Sequence, residues 1–356
     1  MMFPRSFRSW IPAVVAVVAA VALAIPAASS AATVVNGDFE AGNLSGWQVY
    51  NSTNRGNWFA YSGTKTPILE REEKEAEEEE IVILPPPPFF PPPQGSWAAV
   101  TDEEEPDTAI LYQDIALEPY YTHQLTMTLY YRSFAPIFVP SPDTLSVTNL
   151  PEPMEPDEST NQQLRVDVMK PTAPVESLNP SDILATLFAS KTGDPESMAP
   201  TQLSADLTPF AGQTVRLRIA NAVDDDVFNA AVDAVSITST PPNNVFKKGK
   251  LKLNKSNGTG TLTVTVPGAG VLTLTDAAAT KKATASKKGK KKLVKPATLK
   301  PTAAGTVKVA LKPTGAGKKI LRKKGKLKIK ASLSFTPTGG TASTQSLKAT
   351  LKMKLK

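Results

Sequence analysis

The sequence predicts an all-β protein: an antiparallel jelly-roll β-sandwich followed by a smaller, lysine-rich β-sandwich-like domain. Apolar residues alternate with polar ones in runs such as YTHQLTMTLYYRS, QLRVDVMK and QTVRLRIANA, which is the pattern of strands with one buried face. Clusters of Pro, Gly and Asp separate these runs, as in sandwiches of many short strands. The same alternation, with Lys or Thr as the polar partner, continues in TLTVTVPG and KLKIKASLSF near the C-terminus.

The N-terminal 32 residues predict a secretory signal peptide. Arg5 and Arg8 precede an almost wholly apolar run over residues 11–27, and small residues follow up to Ala32, as at a cleavage site. An uncleaved signal anchor is the alternative, because about 17 apolar residues just suffice to cross a bilayer. No other segment is apolar enough to span a membrane. We therefore expect a secreted, extracellular protein, with the cell wall as one destination.

Charge divides the rest of the chain. Residues 1–240 hold 12 Lys and Arg against 32 Asp and Glu, whereas residues 241–356 hold 28 against the single acid Asp276. STPPNN at 239–244 is the kind of break that separates domains. The sequence thus predicts an acidic jelly roll at 33–240 and a basic β-domain at 241–356, and the basic domain predicts a polyanionic partner.

Composition also limits the chemistry. The chain has no Cys and one His, His123, so cysteine nucleophiles, cysteine zinc sites and histidine-rich metal sites are excluded. Any serine triad would have to use His123 as its base, and its place in an alternating run favours an ordinary strand residue. We therefore expect no enzyme, with a polysaccharide lyase or esterase as the rival from that class.

Two segments depart from the strand pattern. PSDILATLFAS predicts a short helix with Ser181 as its N-cap and four apolar residues on one face, against a turn-rich crossover as the competing interpretation. An insertion at 66–94 combines the acidic run EREEKEAEEEE with PPPPFFPPP, and neither suits a central strand. We expect a long surface loop there; cation capture or a proline-recognising partner are its functional alternatives.

Both ends of the acidic half carry a family resemblance. NGDFEAGNLSGWQV at 36–49 resembles the opening strand and turn of galactose-binding-like jelly rolls, which include bacterial carbohydrate-binding modules. LTPFAGQTVRLRIANAVDDDVFNAAVDAVSI at 207–237 is similar to their closing strands. The resemblance brackets residues 34–238. It departs from the family pattern in the acidic DEEEPD run at 102–107 and in Ala234, where the motif often has a second Asp.

The resemblance implies a structural calcium near the first and last strands, held by carboxylates and backbone carbonyls. Position by position, Glu40 and Asp233 are the best matches and Asp38 is a weaker third. An equally weighted alternative is that all three are solvent-side residues of strands whose apolar neighbours face inward. A retaining glycosidase pair is a minor third interpretation.

Sugar binding in such modules rests on exposed aromatic rings, which stack on the faces of pyranoses. The candidates are Trp58, Tyr61, Trp97, Tyr120 and Tyr121. Core positions are predicted instead for Trp47, Phe39 and Phe228. Tyr130 and Tyr131 are adjacent in one strand run and must point to opposite faces.

The basic half contains KKGKLK twice, at 247 and at 323, which suggests two diverged copies of one unit. It resembles lysine-rich β-domains at the ends of secreted actinobacterial proteins. Its 27 Lys accompany one Arg, Arg322, and two aromatics, Phe246 and Phe335, so specific nucleic-acid recognition is not expected. Retention on an anionic wall polymer is favoured over a role in solubility alone.

Together these features predict a secreted, non-catalytic module that binds carbohydrate or decorates a cell surface, tethered to anionic envelope polymers by its basic domain. A purely structural surface or matrix protein is the main alternative.

Overall fold

A computed structural model describes residues 32–53, 55–64, 89–102, 106–134, 140–147, 161–224, 227–277 and 291–355. Residues 1–31 of the predicted signal peptide and the acidic run at 70–80 therefore lie outside the described residues, as do the prolines at 85–88. Among the described residues, no helix is both long and apolar enough to cross a membrane.

The first sandwich is formed by two antiparallel sheets. The first sheet has the strand order β1-β4-β9-β6-β7 and the second β2-β3-β10-β5-β8. Every neighbouring pair is antiparallel, so the predicted all-β sandwich is confirmed. The strands are β1 (Gln48–Asn51), β2 (Trp58–Tyr61), β3 (Ala98–Thr101), β4 (Asp107–Ala116), β5 (Thr122–Ser133), β6 (Gln163–Met169), β7 (Ile183–Ala189), β8 (Ser197–Asp206), β9 (Thr214–Val223) and β10 (Phe228–Thr240).

The core of this sandwich lies between the two sheets, where the inward side chains of alternating strand positions meet. Phe39, Trp47 and Phe228 are all buried in this core, as the sequence predicts. Tyr130 and Tyr131 are both buried but belong to different clusters, which confirms that they point to opposite faces of β5.

The outer faces of both sheets are partly covered. Phe89, from the polyproline segment, is buried on the outer face of the second sheet, with its ring centroid 5.5 Å from that of Tyr130. On the first sheet, Leu145 and Leu178 pack over Ile110. The proline-rich motif thus contributes Phe89 to the hydrophobic packing of the sandwich.

The second sandwich encloses its own core, which includes Phe246, Leu333 and Phe335. Its three-stranded sheet has the order β11-β12-β15 and its four-stranded sheet β14-β13-β16-β17. The elements are β11 (Lys247–Asn254), β12 (Thr259–Val266), β13 (Gly270–Asp276), β14 (Ala297–Leu299), β15 (Gly305–Leu311), α1 (Gly315–Lys324), β16 (Lys326–Pro337) and β17 (Ser343–Lys352). The domain limits at 33–240 and 241–356 stay predictions.

The predicted helix after Ser181 is wrong, because this segment forms β7 at the edge of the first sheet. β7 pairs with β6 and shifts register twice, which allows consecutive apolar residues to be partly buried. About three turns is short for an independent helix, and the open edge of β6 offers backbone hydrogen bonds. Pairing with the sheet outweighs the local helical pattern.

Candidate functional site

The segment that contains Asp38 and Glu40 consists of turns rather than the predicted opening strand, and regular strand structure begins only at Gln48. Phe39 has a positive φ of 54°, a strained conformation for a bulky side chain, yet its ring is fully buried. Asp38 and Glu40 are exposed on either side of it. Burial of Phe39 therefore sets the backbone that presents the two carboxylates.

Glu40 holds the loop before β3. Its Oε1 accepts hydrogen bonds from the backbone N–H groups of Ser96, at 2.8 Å, and Trp97, at 2.9 Å. Gly95 has φ of 64°, and a Cβ there would lie 2.2 Å from this oxygen. The close approach of loop and carboxylate therefore requires glycine at position 95.

Asp233 holds the same loop from the other side. Its Oδ2 accepts from the N–H of Gln94 at 3.0 Å, and its Oδ1 accepts from that of Ala234 at 2.6 Å. Ala234 has φ of 54° at an irregularity where β10 shifts its register with β5. The bulge turns the carboxylate of Asp233 toward the loop that Glu40 also binds.

Asp233 carries the most perturbed carboxyl of this region. Burial raises its pKa to about 6; the N–H groups of Ala234 and Gln94 oppose the rise, and the negative charges of Glu40 and Asp38 add to it. Burial and the charge of Asp233 also raise the pKa of Tyr130. The hydroxyl of Tyr130 is buried without a hydrogen-bond partner. Negative charge and an unsatisfied polar oxygen thus meet where the predicted calcium would lie.

The oxygens present match the chemistry of calcium, which prefers hard oxygen ligands. However, no three His, Asp or Glu side chains within the described ranges are grouped so that they could hold a metal ion. Asp38 points into solvent, while Glu40 and Asp233 already accept backbone hydrogen bonds. The predicted set of three carboxylate ligands is therefore not assembled, and calcium itself stays a prediction.

The predicted aromatic residues do not share a surface. Trp58 is only 2% exposed, and its Nε1 donates to the carbonyl of Ala109 at 3.2 Å, so its expected exposure is wrong. Its ring fills the core because β2 begins at this residue and directs it inward. Trp97 is half-buried against the core, with its ring beside Gly42.

The three tyrosine candidates lie apart from one another. Tyr61 packs at the margin of the cluster on the outer face of the second sheet. Tyr121 is half-buried and stacks on His123, with ring centroids 6.3 Å apart. Tyr120 is 63% exposed, and Gly339 of the second sandwich lies directly against its ring. Their roles as ligand contacts stay predictions.

His123 is a satisfied strand residue. It is 1% exposed in β5, with Nδ1 2.9 Å from Ser239 Oγ and Nε2 2.9 Å from the carbonyl oxygen of Glu118. Both ring nitrogens are engaged inside the protein, so the ring is not presented to solvent as a base.

The structure reveals a polar row that the sequence analysis missed. It crosses all five strands on the outer face of the first sheet, because directly opposed residues share a face. The row is Gln48, Tyr112, Arg218, Asp167 and Thr186. In β4, β6 and β9, polar residues at alternate positions mark the outward face of each strand. The alternation within one strand does not show which strands lie beside it, so the row cannot be read from the sequence.

The middle of the row is buried. Arg218 Nη2 donates to Asp167 Oδ2 at 2.6 Å, and both side chains are fully buried. Arg218 Nη1 also donates to the carbonyls of Val175 and Ser177. Burial opposes ionisation of Asp167, but hydrogen bonds and charge from Arg165 and Arg218 outweigh it and hold its pKa below the usual range. This pair fastens the covering segment to the sheet.

The β1–β4 end of the row is accessible, and we call it the tyrosine patch: Tyr50, Tyr112, Asp114, Glu176 and Arg216. The Arg216 guanidinium lies 4.6 Å from the centre of the Tyr112 ring and makes two hydrogen bonds to Asp114, at 2.7 and 3.0 Å. Burial, a hydrogen bond to Glu176 and nearby negative charge raise the pKa of Tyr50 to about 12. The patch therefore combines half-buried phenol rings with fixed charged donors and acceptors.

No protein-family model and no curated protein matches the chain. Similar solved structures include the K3 cleaved adhesin domain of Lys-gingipain from Porphyromonas gingivalis, 14% identical, covering 58% of this chain and 96% of that one with a TM-score of 0.30. The adhesin domain of Epf from Streptococcus pyogenes is 11% identical over 91% and 97% of the two chains, with a TM-score of 0.29. The tandem CBM22 domains of Paenibacillus barcinonensis Xyn10C are 10% identical over 92% of each chain, with a TM-score of 0.30.

Proposed function

We propose that this chain is a secreted, non-catalytic module that binds carbohydrate at a cell surface through its first sandwich and is retained there by its basic second sandwich. The observation that carries the proposal is the tyrosine patch. Phenol rings offer an apolar face for the C–H groups of a sugar, and the charged groups beside them can bond sugar hydroxyls. Secretion is inferred from the signal-like N-terminus.

The geometry of the patch suits a small polar ligand. Asp114 and Arg216 hold each other through two hydrogen bonds, so their orientation is fixed before any ligand arrives, which lowers the entropy lost on binding. Tyr50 and Tyr112 both retain accessible surface. Because the two residues lie diagonally across the β1–β4 pair, their rings are neighbours on one face.

A non-catalytic role is supported by the surroundings of the candidate chemical groups. The single histidine is buried and doubly bonded. A cavity of about 400 Å³ lies beside β7, lined by Thr186, Leu187, Phe188, Ala189, Lys191 and Asp194. It offers one carboxylate, and Asp194 Oδ2 already accepts from the N–H of Lys191, whereas glycoside hydrolysis requires a pair.

We further propose that calcium binds at Asp233 and Glu40. A divalent cation there would compensate the negative charge of Asp233, whose ionised form is disfavoured by burial, which raises its pKa. Because Glu40 and Asp233 fix the same loop from two elements, such an ion would stabilise the junction of the opening turns, the β3 loop and β10.

The proposal is tested by screening the full chain on an array of neutral glycans, so that the basic sandwich contributes little. The glycan bound best is then titrated against Tyr112→Ala and against Val245→Ala, a control at a 63% exposed apolar residue outside the predicted sugar sites. We expect about a tenfold or greater loss for Tyr112→Ala, as for an aromatic anchor, and none for the control.

Unchanged affinity of Tyr112→Ala would show that the tyrosine patch is not the sugar site. Failure of the wild-type chain to bind any neutral glycan would favour the rival function, a structural surface protein. The covered outer faces of both sheets, under Phe89 and under Leu145, are the observation that favours this rival.

A further inference from the structure

The strands of each sheet in the second sandwich expose five lysines, but the two sheets arrange them differently. On the four-stranded sheet, β16 exposes Lys326, Lys328 and Lys330, while β17 exposes Lys348 and Lys352. We call these five residues the lysine face. Their apolar neighbours in the same strands point into the core, so the lysines share the outward face of one regular strand pair.

The strand register sets lysine directly against lysine. Lys326 is opposite Lys352, and Lys330 is opposite Lys348. Like charges at opposed positions destabilise a sheet. Within the described part of the chain, none of the five ammonium groups has a hydrogen-bond or ion-pair partner, and Asp276, the only acid after residue 240, is 6% exposed and accepts from Leu293 and Val294. The repulsion on the lysine face is therefore uncompensated by the second sandwich.

The three-stranded sheet provides the contrast. There Lys247 is opposite Thr265, Lys252 is opposite Thr261 and Lys308 is opposite Thr263. A register with lysine beside threonine avoids the repulsion, so composition alone does not force lysine against lysine. The lysine face is therefore the surface on which lysines of neighbouring strands are directly opposed.

The same outward face continues into two rows of hydroxyl groups. Ser332 of β16 lies between Thr275 of β13 and Ser346 of β17. The next row joins Ser334 to Thr273 and Thr344 in the same way. Charged donors and neutral hydroxyls thus lie on one surface, with no aromatic side chain between them.

We propose that the lysine face binds a linear phosphodiester polymer with a polyol backbone; this rests on the proposed retention by the basic sandwich and identifies its surface and ligand. Lysine binds phosphate as a point charge. The half from 241 to 356 has one Arg, so the lysine face does not rely on the bidentate fork that arginine offers to carboxylates and phosphates alike. Lysines two residues apart on β16 are spaced by roughly 7 Å, twice the rise of a strand residue, which places successive charges along an extended chain. The hydroxyl rows match polyol hydroxyls, and the lack of aromatic rings disfavours single-stranded nucleic acid.

The test uses the full chain and poly(glycerol phosphate) as the probe, titrated over a range of salt concentrations. One triple variant carries Lys326→Gln, Lys330→Gln and Lys352→Gln. The matched control carries Lys247→Gln, Lys252→Gln and Lys308→Gln, which removes the same charge from exposed strand positions of the other sheet. We expect the first variant to lose roughly tenfold or more in affinity and to show a shallower salt dependence, because fewer counterions are released. The control should stay within about threefold of the wild type.

The thermal melt of the second sandwich separates loss of binding from loss of folding. Because Lys326→Gln and Lys330→Gln relieve repulsion, the first variant should melt at the wild-type temperature or above it. Weak binding by a variant that melts lower is resolved with the single variant Lys330→Gln, which should still lose affinity.

Equal losses in the two triple variants would overturn the lysine face while leaving charge-based retention intact. Wild-type protein that does not bind the polymer at low salt would overturn retention itself. Tighter binding to vesicles of anionic phospholipid, or to polygalacturonate, at equal charge concentration would overturn the choice of polymer.

Discussion

Asp233 should make the first sandwich more stable as the solution is acidified. Its pKa is 3.8 as an ordinary aspartate and about 6 when buried in the fold, so the folded state binds the proton more tightly than the unfolded state. Each pKa unit is worth about 1.36 kcal/mol. At neutral pH the ionised carboxylate therefore lowers the free energy of unfolding by about 3 kcal/mol. This cost is relieved as the pH falls through 6 and is gone once the pH is below 3.8.

The measurement is urea unfolding of the full chain in the presence of a chelator, followed by tryptophan fluorescence. Trp47, Trp58 and Trp97 lie in the first sandwich, Trp10 lies in the predicted signal peptide and residues 241–356 contain no Trp, so the signal omits the second sandwich. Asp233→Asn is the reference, because it loses one acceptor at every pH but cannot titrate. Other carboxylates then cancel in the difference between the two proteins.

When the pH is lowered from about 7.5 to about 5, the free energy of unfolding of the wild type should rise by about 1.4 kcal/mol relative to that of Asp233→Asn. This value follows from integrating proton uptake between the two pKa values. A pH-independent difference would mean that Asp233 titrates normally in the fold. A difference that moves against the wild type on acidification would mean that its carboxylate is stabilised, and that the charges of Glu40 and Asp38 do not act on it as argued.

Three further perturbations probe the same structure. Calcium, but not magnesium, should raise the free energy of unfolding by about 2.7 kcal/mol at one hundred times the dissociation constant and raise the melting temperature of the full chain accordingly; Asp233→Asn should abolish the increase, and an unchanged melt would refute calcium binding. Asp167→Ala should cost about 3–5 kcal/mol in urea unfolding because it leaves the Arg218 charge buried and unpaired; Asp114→Ala, which breaks a partly exposed pair, should cost under about 1 kcal/mol, and similar losses would contradict the assigned burial. Phe89→Ala should cost about 3 kcal/mol, and a cost near zero would show that its segment does not stabilise the sandwich.

The strand pattern and the core aromatics were predictable because both depend on short-range alternation. Trp47 and Phe228 follow it and are buried. Trp58 was misjudged because its polar neighbours suggest a loop, whereas pairing of β2 with β3 draws it into the core. The helix predicted after Ser181 is wrong because so short a segment fits either period, and pairing with the edge of β6, which lies outside the segment, decides for the strand.

The two copies of KKGKLK show the same limit within one chain. The copy at Lys247 lies wholly in β11, with an irregularity between Lys248 and Leu251. The copy at Lys323 ends α1, passes through Gly325 at φ of 64° and begins β16. Identical residues therefore take different structures, because Thr314 caps a helix that precedes only the second copy.

The candidate site was predictable in its parts but not in its arrangement. The resemblance indicated that Glu40 and Asp233 approach each other, and they do so through a shared loop. That their oxygens accept backbone hydrogen bonds from residues 94–97 depends on Gly95 and on the bulge at Ala234, which alternation does not encode. The tyrosine patch was missed because its strands are far apart in sequence, and a row across a sheet exists only once the strands are ordered.

The anchoring of Phe89 bears on how this protein can be engineered. The N–H of Phe89 donates to the carbonyl of Thr64 at 3.0 Å, so the two ends of the intervening segment, residues 65–88, meet at one point of the second sheet. Replacing that segment with a turn of about four residues would lower the free-energy cost of closing the loop by only about 1.6 kcal/mol. A longer insertion should also be tolerated, because the cost of closing a loop grows slowly with its length. A fluorescent protein or an epitope could be grafted between Thr64 and Phe89, displayed on the side of the sandwich opposite the tyrosine patch.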